Sequence, residues 1–168
     1  SKEIIGFDTE TRPSFRKGVV HKVSLIQLSD EEECFLFRLN KIGFNADLMT
    51  FLASEKPMKI GLSLHDDFNM INHTTALRPK GFVDLQSLVG QFKISDISLQ
   101  KIYAILFQQK ISKSQRLTNW EANELTPAQQ QYAAIDAWAC VKIYKYLTAN
   151  EFNPETSPFK KFEDDENS

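Results

Sequence analysis

Cysteine is scarce in this sequence, and its spacing excludes more than its number. Cys34 and Cys140 lie far apart, each inside an apolar stretch. They offer no zinc-ligand set, and two buried free thiols in a reducing compartment are expected in place of a disulfide. Histidine is nearly as rare. His21, His65 and His73 have no helical or strand spacing to another ligand candidate, so a histidine-based metal site is not expected. No apolar run approaches the roughly 18 residues that a membrane span requires, and no signal-peptide pattern opens the chain. The expectation is a soluble, cytoplasmic protein with no membrane partner. No charge of one sign dominates either: 20 basic residues face 22 acidic ones, a formal net charge of −2. That balance argues mildly against a general nucleic-acid binder, whose affinity comes from neutralising phosphates. The acid-rich segment after Asn150 weights the total, however, so net charge decides nothing.

What is present is enough apolar material for one domain. The chain has 168 residues, 42% of them hydrophobic, with 13 Phe. Residues 1–150 read as the folded domain and 151–168 as a flexible acidic C-terminal tail. The first third reads as strands: Glu3–Asp8, then Val23–Leu28, then Cys34–Leu39 after a short charged turn that implies an antiparallel hairpin. Ala46–Ala53 reads as a helix, Lys59–Leu64 as a strand and Asp66–Thr75 as a short helix. Phe82-Val-Asp-Leu85 fits a strand or a helix start. Ser98–Gln109 carries apolar residues at helical spacing. The last helix has the clearest start: Thr126 to cap, Pro127 at the first position, and Gln129 completing a capping box, with an end near Leu147. An α/β fold follows, a single domain with a mixed sheet flanked by helices.

Acids stand at three places where a core would not accept them. Asp8 and Glu10 follow the apolar run Ile4-Ile-Gly-Phe7 and share one strand face. Two carboxylates side by side at the end of a buried strand repel, and burial raises the cost. A divalent cation removes both problems; a pair of solvated turn acids is the plain alternative. Asp136 falls in the apolar stripe of the last helix, with Tyr132, Ile135, Ala139, Cys140, Ile143 and Leu147, where it needs a partner. A salt bridge is the alternative there. Asp66 and Asp67 follow the strand beginning at Lys59, where ligand sites of α/β sheets gather. Asp67 shares a face with Met70 and Ile71 and points toward the sheet, while Asp66 reads as an exposed helix-start acid. Hard oxygen ligands of this kind suit magnesium or manganese.

Phe7-Asp-Thr-Glu10, Gly61 leading to Asp67, and Tyr132-Ala-Ala-Ile-Asp136 resemble the three motifs of the DEDD exonucleases, in their tyrosine subclass. Val23-Ser-Leu-Ile-Gln-Leu28, Phe82-Val-Asp-Leu85 and Leu125–Tyr132 are similar to the exonuclease domains of ribonuclease D and the Werner syndrome protein. The resemblance spans nearly all of Ile4 to Leu147. It implies a ribonuclease-H-like fold and 3′→5′ removal of nucleoside 5′-monophosphates from a DNA or RNA partner with a free 3′ end. It also implies two divalent cations, Mg²⁺ or Mn²⁺, on Asp8, Glu10, Asp67 and Asp136. One ion would acidify the attacking water and the other stabilise the leaving oxygen. Tyr132 would hold that water. Thr9, Phe68 and Arg116 are candidate substrate contacts, and Arg12, Arg16, Lys17 and Lys113 flank the site in sequence. His65 and Trp120 read as surface and structural residues. Two rivals remain: a binding module of the same fold without catalysis, and a metal-dependent hydrolase of small phosphates.

Overall fold

The apolar run that begins at Ile4 becomes the middle strand of a five-stranded sheet. The computed structural model describes residues 3–96 and 98–149; the expected tail, 151–168, lies outside them. β1 (Ile4–Thr11), β2 (Val23–Ser29) and β3 (Cys34–Arg38) are consecutive antiparallel neighbours. β4 (Met58–Gly61) and β5 (Phe82–Asp84) add in parallel on the other side of β1, giving the order β3-β2-β1-β4-β5. The hairpin between β2 and β3 closes where Asp30 accepts from the backbone N–H groups of Glu32 and Glu33, at 2.6 and 2.8 Å. An Asp that binds backbone two and three residues on is a turn former for that reason.

Six helices connect and cover the strands: α1 (Leu39–Ile42), α2 (Ala46–Leu52), α3 (Leu64–Asn72), α4 (Leu85–Gln91), α5 (Leu99–Phe107) and α6 (Pro127–Thr148). Strand alternation sorts the sheet's two faces. Phe7, Ile26 and Leu28 meet Leu48 and Leu52 of α2 and Leu64 and Ile71 of α3 on one face. On the other, α6 lies along β1, β2 and β3 and is backed by α4 and α5. Ile60, Leu85, Val89, Ile102, Ala139, Cys140 and Ile143 form the core there. Each fully buried aliphatic side chain contributes about 1.5–3 kcal/mol.

α6 starts as the sequence indicates. Thr126 Oγ1 accepts from the Gln129 N–H at 3.1 Å, and Gln129 Oε1 accepts from the Thr126 N–H at 2.9 Å. Its buried surface is wider than the single stripe expected. Ala133, Ala137 and Val141 are buried too, while Ile135 is only half-buried. The small residues let the helix backbone approach the sheet closely. At Gly6 of β1 an added Cβ would stand 1.9 Å from the Ala137 carbonyl oxygen.

Most boundaries shift by one to three residues, and β1 runs on past Asp8 to Thr11. β4 stops at Gly61 instead of Leu64, and α3 starts at Leu64 instead of Asp66 and ends at Asn72. Asp84 sets the junction of β4 and α3. Its carboxylate accepts from the N–H groups of Ser63 and Leu64, at 3.0 and 2.9 Å, and from Gln86 at 2.9 Å, so one side chain caps both α3 and α4. Ser63 takes a left-handed conformation, φ 55, to make that turn. β3 ends at Arg38, and Leu39 opens α1. The Arg38 guanidinium leaves the strand line to bind the carbonyls of Ala122 and Asn123. Finally, Cys140 is buried but Cys34 is only half-buried, because β3 is an edge strand.

Candidate active site

β1 delivers two of the acids. Asp8 and Glu10 point from the sheet toward α6, and Thr9, between them, points to the opposite face. Asp136 comes down from α6, and the close contact at Gly6 and Ala137 sets how near it comes. One oxygen from each of Asp8, Glu10 and Asp136 lies within 4.8 Å of the others. Three of the four expected carboxylates, from two elements, therefore converge.

Asp67 arrives from α3 on the other side. Thr9 Oγ1 donates to its Oδ1 at 2.5 Å, which ties the helix acid to the strand carrying Asp8 and Glu10. Asp67 stands outside the three-carboxylate group but close enough that its charge raises the Asp8 carboxyl. Asp66 is exposed. Asp67, and not its neighbour, is tied to β1 beside the cluster.

Burial pushes every one of these acids upward, and repulsion within the cluster adds to it at Asp8 and Glu10. The Asp8 carboxyl is held well above the ordinary carboxylate range by burial first and by Glu10, Asp136 and Asp67 next. Glu10 is raised to about 8 by burial and by Asp136. Asp136 is raised to about 7 by burial, with the Tyr132 phenol pulling it back. Asp67 is raised to about 6 by burial, against the opposing pull of Thr9. Four carboxyls that resist ionising without a counter-charge are poorly explained as a structural cluster. The Oδ1 of Asp136 is buried without a hydrogen bond, an orphan acceptor of the kind that a cation satisfies. No basic side chain among the described residues pairs with Asp136, so the salt-bridge alternative fails. The donor set is all hard oxygen, which fits magnesium or manganese.

Tyr132 sits one helical turn before Asp136, is 7% exposed, and packs on Trp120 with ring centroids 6.0 Å apart. Burial and the neighbouring carboxylates push its phenol further up, so it stays protonated at any ordinary pH. Trp120 is fully buried and donates to the Arg116 carbonyl at 3.4 Å, which fixes that loop; the Arg116 side chain is exposed. Phe68 packs edge-on against Phe82, centroids 4.8 Å apart, and near Phe7 at 6.2 Å. Its ring belongs to the core contact. His65 is exposed and meets Asn69.

Two residues escaped sequence reasoning. Gln27 is fully buried opposite Asp8 on β2. Its amide donates to Glu10 Oε1 at 3.3 Å and to the Ala133 carbonyl at 3.2 Å, linking an acid of the site to α6. A Gln inside Val-Ser-Leu-Ile-Gln-Leu was the available signal, a polar side chain where the strand is otherwise apolar. Asp84 was the other, visible only as an acid after Phe82-Val83.

The sequence model of the 3'-5' exonuclease family matches residues 1–150. This chain belongs to the 3'-5' exonuclease family. A 3'-5' exonuclease of Arabidopsis thaliana is 32% identical over 149 residues, covering 85% of this chain and 52% of that protein. The mouse bifunctional 3'-5' exonuclease/ATP-dependent helicase WRN is 28% identical over 151 residues, 86% of this chain but 11% of its own length. The chain therefore spans about half or less of these relatives. Among solved structures, the Aedes aegypti Nibbler EXO domain superposes with a TM-score of 0.77 at 22% identity, over 92% of this chain and 83% of that one. The family and its fold agree with the resemblance carried by the three acidic motifs. No helix among the described residues is long and apolar enough to cross a membrane.

Proposed function

We propose that this exonuclease domain hydrolyses the terminal phosphodiester at a free 3′ end of DNA or RNA and releases nucleoside 5′-monophosphates. Asp8, Glu10, Asp67 and Asp136 are its ligands for two Mg²⁺ or Mn²⁺ ions. The observation that carries this reading is the orphaned, buried Asp136 Oδ1 beside Asp8 and Glu10 within 4.8 Å. Bound divalent ions supply Lewis acidity, which makes water easier to deprotonate and steadies charge on a leaving oxygen.

The chain's own residues do the positioning. Gln27 holds the Glu10 carboxylate toward α6, and Thr9 holds Asp67. Tyr132, kept protonated, donates its phenol proton to Asp136 and orients a water by accepting from it, so it does not act as a base. The Phe7–Phe68–Phe82 contact stiffens the base of α3 and so fixes Asp67.

The test is a nuclease assay with 5′-labelled single-stranded and duplex DNA and RNA, in manganese and in chelator. Shortening from the 3′ end alone, needing metal and a free hydroxyl, is the expected result. Alanine at any of the four acids should remove nearly all of it while the protein still folds. Cleavage of a circular strand, or a dead Asp66→Ala beside a normal Asp67→Ala, would overturn the assignment.

A further inference from the structure

Within a chain of net charge −2, two stretches contain no acid at all: residues 11–29 and residues 97–120. Both border the carboxylate cluster. The first leaves β1 directly after Glu10 and Thr11 and forms the loop to β2, carrying Arg12, Arg16, Lys17 and Lys22. The second carries Lys110, Lys113 and Arg116 and ends on Trp120, which packs on Tyr132. Their bases meet. His21 Nδ1 lies 3.4 Å from Glu121 Oε2, so the loop between β1 and β2 starts back toward the sheet beside the Trp120 segment.

The loop between β1 and β2 is a shaped element. Ser14 Oγ donates to the Arg16 carbonyl and accepts from the Arg16 N–H, the Val19 N–H donates to the Arg16 carbonyl at 3.3 Å, and Gly18 turns at φ +80. Its tip carries Phe15 at 83% exposure, with Val20 at 70%. Burying Phe15 would have been the cheaper outcome. None of Arg12, Arg16, Lys17 and Lys22 makes an ion pair among the described residues. An outward aromatic among unpaired cations is the combination that binds single-stranded nucleic acid, with ring stacking on a base and cations on phosphates.

We infer that the loop between β1 and β2 receives the single-stranded segment upstream of the scissile end, with Phe15 stacking on an unpaired base and Arg16 and Lys17 on the flanking phosphates. This rests on the proposed function, because that reading places the 3′ terminus at the carboxylates. Phe15 is four residues beyond Thr11, so it lies within about 14 Å at roughly 3.5 Å per residue. That reach covers at most about four stacked nucleotides at roughly 3.4 Å each. The base assigned to Phe15 lies upstream of the terminal nucleotide, and a mononucleotide ester lacks it.

The experiment compares thymidine 5′-monophosphate p-nitrophenyl ester with a single-stranded oligonucleotide of about 12 nucleotides, long enough to cover one binding element. Phe15→Ala should lower kcat/KM on the oligonucleotide by roughly 5–100-fold, the loss of one stacked base, and leave the ester unchanged. Arg16→Ala/Lys17→Ala should lower the slope of log affinity against log salt, measured by anisotropy in calcium, by about 1.4. Equal loss on both substrates, or no loss on either, overturns the inference. Should the wild type hydrolyse neither substrate, the proposed function falls, and the anisotropy arm still decides the loop. Loop variants that lose binding to anionic phospholipid vesicles but keep oligonucleotide affinity would assign it to a membrane surface and overturn the inference.

Discussion

The Tyr132 hydroxyl is one atom with two possible uses. A merely structural Tyr would lose little on becoming Phe and would shed a buried polar group. A Tyr that orients water loses transition-state stabilisation without losing ligand binding. Tyr132→Phe is therefore expected to lower turnover about 10–10³-fold with substrate affinity in calcium unchanged, roughly 1.4–4 kcal/mol in the barrier. Full turnover in that variant would return Tyr132 to the core. At this scale the sequence was readable where a residue contradicts its surroundings. Asp8, Glu10 and Asp136 each stand in apolar company, and only a shared counter-charge explains that. Gln27 contradicts its strand just as plainly, but its meaning depends on Ala133 and Glu10, which no local pattern joins to it. Thr9 is a candidate substrate contact by sequence, and the structure adds a role no local pattern shows, since its hydroxyl binds Asp67.

Among the elements, α6 and β1 matter most, and their contact depends on a glycine. A methyl group at Gly6 would press on the Ala137 carbonyl, which is backbone and cannot swing away. Gly6→Ala should cost at least the roughly 1–3 kcal/mol typical of overpacking. It should also weaken manganese binding, because lifting α6 moves Asp136 away from Asp8. Gly90→Ala is the control. Nothing lies within 4 Å of a Cβ there, on helical backbone, so a gain of about 0.4–1 kcal/mol is expected. Thermal or urea unfolding of both variants, beside a metal titration, checks the pair. A stable Gly6→Ala with native metal affinity would show that the contact yields more than its geometry allows. Elements were legible when their causes were local, as the capping box of α6 was. The turn at Ser63 was not, since the carboxylate that shapes it comes from Asp84 on the neighbouring strand, 21 residues on.

For the whole molecule, the raised carboxyls link folding to pH. A carboxyl with a higher pKa folded than unfolded binds more protons when folded, so stability falls as pH rises between the two values. Unfolded Asp and Glu titrate near about 4. The folded values stand at about 6 for Asp67, about 7 for Asp136 and about 8 for Glu10, with Asp8 also raised. The metal-free protein should lose stability from about pH 5 to about pH 8. Manganese should restore it most at the alkaline end, where the ligands are ionised. Denaturant midpoints across that range, with chelator and with manganese, measure both effects. A metal-free stability that rises over this window would contradict the cluster's electrostatics.

The order of the parts along the chain has a consequence for synthesis. Asp8 emerges from a ribosome well before the helix bearing Asp136 and Tyr132, the last of the elements described. Until α6 closes over the sheet there is no cluster, only scattered acids on an unfinished surface. The proposed chemistry therefore waits on the docking of this helix against β1. For this domain, an activity measurement is also a measurement of how many molecules have folded.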